Sequence, residues 1–426
     1  MKYRLFLFFF VSFAFVAITK PSLTADTPSH TVPLLSSNGP AIEILIHGEP
    51  YTFIVDTGSF QTIILPELAN KTARPDEKNL RIAGGRQGDW HLIAAGELEL
   101  QVSGTNFSRS LVVATLAAEA PTTAAWEQDL TGHHGILGLD FFYGTQLVFD
   151  GPKQTFEIIE PPEDQRVESG AGQDNGPFFG NKIPGFRPAI FGDIEGERGL
   201  FFLDTGSIND RHIRFYNTYM SWKLWDDTEH FFFQDAPNFS EKPMKLVGSR
   251  TVHLNGSGPM EMFLLLHSPQ LDPSKEAPAK DPVFIDLVRE FPATAHIGWD
   301  ILKYGVLTVY INTPEDNKLK LPDNFKMPYN QTGLRDITWV RAPDYYGYVP
   351  RIVDIGSPAD KAGIQVGDHI THMNGHPITA RSFARDRDAL YGINSNEVEI
   401  KFIRGEEKME TTLTLFDYLF ADSHRQ

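Results

Sequence analysis

FIVDTGSF (residues 53–60) and FFLDTGSI (residues 201–208) each run three large hydrophobes straight into an aspartate and a Gly-containing turn. Such hydrophobes belong to a buried strand, where an ionised carboxylate costs several kcal/mol unless it is paired or hydrogen-bonded. A single case would read as an ordinary strand-ending turn. Two of them, 148 residues apart, raise a question about a pair.

Working outward, the two segments are the centres of an internal repeat. AIEILIHGEPYTFIVDTGSFQTIIL and PAIFGDIEGERGLFFLDTGSINDRHI each read as strand, tight Gly-containing hairpin, apolar strand, then Asp-Thr-Gly-Ser. A second landmark follows in both: GILGLDFFYGTQLVFDGPKQTFEII in the first copy, HIGWDILKYGVLTVYINTPEDNKLKL in the second. Two landmarks in the same order at similar spacing indicate duplication. The Pro-, Gly- and charge-rich stretch at 164–184 reads as the linker between a first lobe, 33–163, and a second, 185–322.

A duplicated lobe can pack on its copy about an approximate two-fold axis and bring equivalent turns face to face. Asp56 and Asp204 would then lie about 3 Å apart, where like charges cannot both ionise and one proton is shared. One carboxylate acts as a base towards a trapped water, and the protonated one donates to a carbonyl oxygen. Thr57 and Thr205 can lock the turns through their hydroxyls. Gly58 and Gly206 let the backbone bend and bring N–H groups to the carboxylates. Ser59 and Ser207 can donate to the outer carboxylate oxygens.

These paired motifs resemble the pepsin/retropepsin-like aspartic peptidases, and most closely the bacterial aspartyl proteases that hold two retropepsin-like copies in one chain. The resemblance covers roughly residues 38–320. It implies a mainly β fold in which two homologous retropepsin-like lobes form a pseudo-two-fold, bilobal aspartic protease, with Asp56 and Asp204 as the catalytic dyad. It also implies a flap on the hairpin around Gly84, Gly85 and Arg86, with Trp90 as a wall of the cleft. KLVGSRTVHLNGSGPMEMFLLL is the best candidate for a second flap. The rival from another class is a non-catalytic peptide-binding protein on a degenerate protease fold, against which intact Asp, Thr, Gly and Ser in both copies argue.

The tail, YYGYVPRIVDIGSPADKAGIQVGDHITHMNGHPI (345–378), resembles a PDZ domain of the bacterial form, over about 335–420. That implies a small α+β domain whose loop N–H groups cradle a peptide's C-terminal carboxylate while the peptide adds a strand. The corresponding positions are Tyr346, Gly347 and Tyr348. Pro350 removes a donor from the strand expected to pair with the peptide.

Residues 1–25 read as a signal peptide, with Lys2 and Arg4 ahead of an apolar core, Leu5 to Ile18, too short for a comfortable membrane span. The expectation is an exported protein, periplasmic or extracellular; membrane attachment follows only if the signal stays uncleaved. The formal net charge of −17 argues against nucleic acid as a partner. Zero cysteines exclude disulfides and thiol catalysis. The His-His pair at 133–134 lacks a third ligand at useful spacing, so no metal and no cofactor is expected. The expected partners are a peptide or protein substrate and a C-terminal peptide ligand of the tail. Asp140 and Asp300, after the Gly motifs, read as structural acceptors.

Overall fold

The structure, a computed structural model, describes residues 28–35, 39–73, 75–85, 88–117, 133–160, 187–194, 196–207, 213–215, 230–231, 244–267, 295–310, 316–323, 325, 332–342, 344–379, 386, 389–390 and 396–415. Residues 1–25 and the linker at 164–184 lie outside them, as does Arg86. Among the described residues no helix is long and apolar enough to cross a membrane.

The fold is mainly β. The first copy contributes β1 (Ser29–Pro33), β2 (Ala41–Ile46), β3 (Glu49–Val55), β4 (Ile63–Ile64), α1 (Pro66–Thr72) and β5 (Asp76–Gly85). It continues with β6 (Gly88–Val102), β7 (Ser108–Leu116), β8 (Gly135–Leu137), β9 (Gln146–Asp150) and β10 (Thr155–Ile159). The second contributes β11 (Ala189–Ile194), β12 (Glu197–Asp204), β13 (Ile213–Phe215), β14 (His230–Phe231), β15 (Met244–Leu254) and β16 (Met260–His267). β17 (Ala295–Gly298), α2 (Trp299–Leu302), β18 (Val306–Tyr310) and β19 (Lys318–Lys320) complete it.

The repeat seen in the sequence reappears as topology. One seven-stranded sheet has the order β2-β3-β8-β4-β7-β6-β5, and the other β11-β12-β17-β13-β16-β15-β14. Position by position these are the same path. Each includes a parallel pairing of the strand before the aspartate with the strand of the Gly motif, β3 with β8 and β12 with β17. Local chemistry explains the hairpins that start each copy. His47 and Gly48, at φ 53° and 81°, form the two-residue turn between β2 and β3 whose twist matches that of the strands. Gly196, at φ 83°, takes the matching place before β12.

A five-stranded sheet, β1-β10-β9-β18-β19, takes strands from both copies. Its alternation is plain: β10 and β18 each bury every second residue. Phe149, Phe156, Trp299 and Leu307 beneath it belong to the same core as Phe53 and Phe201. The two copies therefore share one apolar interior. Phe149 and Trp299 meet across the copies with ring centres 5.9 Å apart.

The tail has its own core, built on Tyr348, Ile370, Ile400 and Phe402. Its strands are β20 (Leu334–Arg341), β21 (Tyr346–Val353), β22 (His369–Met373), β23 (His376–Pro377), β24 (Glu397–Arg404) and β25 (Glu407–Thr414), in the order β20-β21-β22-β24-β25 with β23 beside β22. The short helix α3 (Pro358–Lys361) starts where the sequence places it. Ser357 caps it, its hydroxyl accepting from Asp360 N, with proline at the first helical position.

Candidate active site

The two aspartates stand at equivalent strand ends. Asp56 follows β3 and donates its N–H to Leu137 O (3.0 Å), while Asp204 ends β12 opposite Gly298. Each turn closes on itself, Ser59 N donating to Asp56 O and Ser207 N to Asp204 O. The Gly motif then seals it from outside: Leu139 N donates to Ser59 O and Trp299 N to Ser207 O, both at 2.9 Å. A Cβ on Gly138 would sit 2.4 Å from the Gln61 carbonyl carbon, so only glycine lets this strand pass so close. The second sequence landmark is thus the floor of the first.

The turns meet face to face. Thr57 N donates to Thr205 Oγ1 (3.0 Å), and Thr205 N to Thr57 Oγ1 (3.1 Å). Each hydroxyl in turn donates across the junction, Thr57 to Leu203 O (2.7 Å) and Thr205 to Val55 O (2.6 Å). Both threonines are buried, so four backbone polar groups are satisfied by two side chains. Glycine follows each threonine because the opposite aspartate occupies the space. A Cβ on Gly58 would lie 2.5 Å from Asp204 Cγ, and one on Gly206 2.3 Å from Asp56 Cγ.

The two carboxyl groups stand across the junction from each other, and each accepts from backbone: Gly58 N reaches Asp56 Oδ1 at 2.8 Å, and Ser207 N reaches Asp204 Oδ1 at 3.0 Å. Asp56 has its pKa pushed up from 3.8 to about 7. Burial is the largest cause, followed by the charge of Asp204; the Gly58 N–H and the charge of Arg187 act in the opposite direction. A carboxyl so placed exchanges a proton near neutrality, as an acid–base group must.

Other expected site residues fall differently. Expected to bond the outer carboxylate oxygens, the Ser59 hydroxyl instead donates to Gln61 O, two residues on, at 2.8 Å. Ser207 does reach Asp204, but through its backbone N–H. Gly84 and Gly85 stand near the tip of the β5–β6 hairpin, where Gly85 pairs with Gly88 and Ala83 with Trp90. Arg86 and the Trp90 side chain lie outside the described residues. The stretch KLVGSRTVHLNGSGPMEMFLLL forms the β15–β16 hairpin, which corresponds to β6–β7 and not to β5–β6. The true counterpart of the first copy's tip joins β14 to β15, at 232–243, also outside the described residues.

Asp140 is a structural acceptor. It takes bonds from Thr62 N, Thr62 Oγ1, Phe141 N and Gln61 Nε2. Asp300, fully buried, is neutralised by Lys303 at 2.6 Å. His134 accepts from Thr52 N at 3.1 Å and meets Tyr51 edge-on. Sequence reasoning missed Arg187 and Phe60. Their signal was available, since an arginine precedes the second copy's first strand where the first copy has glycine.

In the tail, β20 and β21 form a hairpin, and the chain then runs through α3 into β22 and β24. Arg404 grips Asp368 with two bonds, at 2.8 and 2.7 Å, tying β24 to the turn before β22. The family model of the PDZ domain matches residues 353–404. Residues 353–404 form a PDZ domain. Such domains commonly bind peptide or protein partners. No curated protein matches the chain.

Within the strand leading into the PDZ match, one expectation is corrected. Tyr346, Gly347 and Tyr348 were expected in a carboxylate-cradling loop, yet they stand in β21, opposite Arg341, Val340 and Trp339. Successive N–H groups of an extended strand point to opposite sides, so these three do not converge on one anion. The Tyr348 side chain is fully buried, and its hydroxyl donates to Asp386 at 3.0 Å. Pro350 is buried too, with its carbonyl accepting from Gly367 N.

Proposed function

We propose that the chain is an aspartic endopeptidase, built as two homologous retropepsin-like lobes about a pseudo-two-fold axis, with the PDZ domain assisting recognition of a substrate or partner. The single observation that carries this reading is the reciprocal threonine lattice that holds Asp56 and Asp204 against each other. A carboxylate pair is costly to keep. A lattice that holds it in mutual contact suits a shared proton and little else.

In this mechanism the pair carries one proton. The ionised carboxylate takes a proton from a water bridging the two acids while the water oxygen attacks the peptide carbonyl carbon. The other carboxyl gives its proton to the carbonyl oxygen, forming a neutral tetrahedral diol. Collapse breaks the C–N bond; the amine nitrogen takes the proton acquired from water, and a diol proton returns to the pair. Gly58 N and Ser207 N stabilise whichever carboxylate is charged. The chemistry calls for no metal and no thiol.

The basic start and apolar core of residues 1–25 support export of the proposed enzyme, to the periplasm or outside the cell. The test is cleavage of a peptide library across pH 3–8, beside the Asp56→Asn protein. Cleavage by the native chain that Asp56→Asn abolishes supports the peptidase. Binding of peptides without cleavage by either protein overturns it in favour of a peptide-binding protein.

A further inference from the structure

Arg187 has no counterpart in the repeat. Pro188 and Pro40 hold equivalent places, Pro188 O accepting from Leu203 N and Pro40 O from Val55 N, each at 2.9 Å. The residue before the proline is Arg187 in one copy and Gly39 in the other. The arginine crosses to the first copy, where its Cζ lies 5.6 Å from the centre of the Phe60 ring. Phe60 directly follows the Asp56–Ser59 turn and packs, half-buried, against the core. The arginine's charge acts on Asp56 without a hydrogen bond to it.

Among the described residues Arg187 forms no ion pair and no hydrogen bond, and it is half-exposed. A guanidinium presents five donors in a flat fork that fits a carboxylate. Here the fork is braced on an aromatic face beside the carboxyl pair, in a chain whose net charge is −17. A cation kept there, with its donors unspent, suits an anion brought by something else.

We propose that Arg187, braced on Phe60 at one side of the Asp56–Asp204 pair, recognises an acidic side chain of a peptide substrate, a Glu or Asp on one side of the scissile bond. This rests on the peptidase reading above. Because Gly39 offers no side-chain donor at the equivalent place, recognition is one-sided and fixes the direction in which the peptide lies.

The test uses peptides that differ only by Glu or Gln at each position flanking the cleaved bond. Wild-type protein should favour Glu by roughly tenfold in kcat/KM, the size of one charge-assisted contact, at positions on one side only. Arg187→Gln should bring the Glu/Gln ratio to about one, and Arg187→Lys should restore part of it. A purely structural strut would lower both rates and leave their ratio unchanged. A ratio near one in wild type, or an unchanged ratio in Arg187→Gln, overturns the proposal. If no peptide is cleaved, the peptidase reading fails by itself, and the same peptides are titrated against Asp56→Asn protein with and without Arg187→Gln. Glu-selective binding that Arg187→Gln removes supports the recognition role, and equal binding of Glu and Gln peptides overturns it.

Discussion

Thr57 and Thr205 each take the other's backbone N–H and, with the same hydroxyl, donate to the carbonyl two residues ahead of the other, Leu203 O and Val55 O. Neither hydroxyl can be removed alone without orphaning groups on the opposite copy. Thr57→Ala should cost about 1–3 kcal/mol of stability, because it leaves the Thr205 N–H buried without an acceptor. Thr57→Ser, which keeps the hydroxyl, should cost about 0.8 kcal/mol for the lost methyl. The Thr57→Ala/Thr205→Ala double variant should fall short of the sum. Urea denaturation of wild type, Thr57→Ala, Thr205→Ala, Thr57→Ser and the double variant measures this, and strict additivity of the two alanine variants would contradict a shared lattice.

Asp56→Asn and Asp204→Asn should each lower peptide hydrolysis on the order of 10⁴-fold, and the double variant should be no worse than either single, because groups that act as a unit are not additive. Circular dichroism should show all three folded. Steady-state rates on one peptide suffice, and substantial activity in either single variant would sink the shared proton.

The Asp56 carboxyl also sets a pH dependence of stability. Its pKa is raised in the fold from 3.8 to about 7, so the fold favours the protonated form. The associated stabilisation is complete below about pH 4 and disappears as pH rises through about 7. Wild-type protein should therefore lose stability over this window relative to Asp56→Asn, and the two should converge at its acidic end. Denaturation midpoints measured at the two ends of the window decide it; parallel curves would mean that Asp56 is not perturbed.

Peptide binding by the PDZ domain should not depend on a free C-terminus. Tyr346, Gly347 and Tyr348 lie in a strand already paired with β20, and Pro350 O is already engaged by Gly367 N. The same peptide as free acid and as amide should bind within about threefold, since the N–H groups of Tyr346, Gly347 and Tyr348 do not converge on one anion. A preference of tenfold or more for the acid in a fluorescence titration would restore these residues to anion binding.

Export is tested by the N-terminus. Protein recovered from its native source should begin near Asp26 and lie outside the cytoplasm. Edman sequencing that finds Met1 on membrane-bound material would favour an anchor instead.

Most of what positions the aspartates was legible in the sequence because its signals are local. An apolar strand, Asp-Thr-Gly-Ser and a later Gly motif are short patterns, and duplication displays each of them twice. What escaped depends on choices between neighbours. The Ser59 hydroxyl had two acceptors within reach, and the nearer, Gln61 O, took it. The second copy's tip was misread because β14 is a two-residue strand, whereas the adjacent β15–β16 hairpin is long and apolar. Tyr346 to Tyr348 read as a loop because LRDITWVR was not recognised as the strand that pairs with them. Arg187 needed the two copies to be compared charge by charge.

The sheet shared between the copies bears on how the chain reaches its fold. β1 pairs with β10, Ser29 opposite Ile159, and β9 with β18, Gln146 opposite Tyr310. Such pairings join distant parts of the chain, and loop closure must be met before they give anything back, so folding should be slow. Synthesis adds an order: until Val306–Tyr310 has left the ribosome, the edge of β9 destined for β18 has no partner. For that interval the growing chain carries an open, apolar-backed edge of the kind that pairs with other chains. A chaperone or holdase that covers β9 should therefore raise the yield of native protein more than one acting after the second copy is complete.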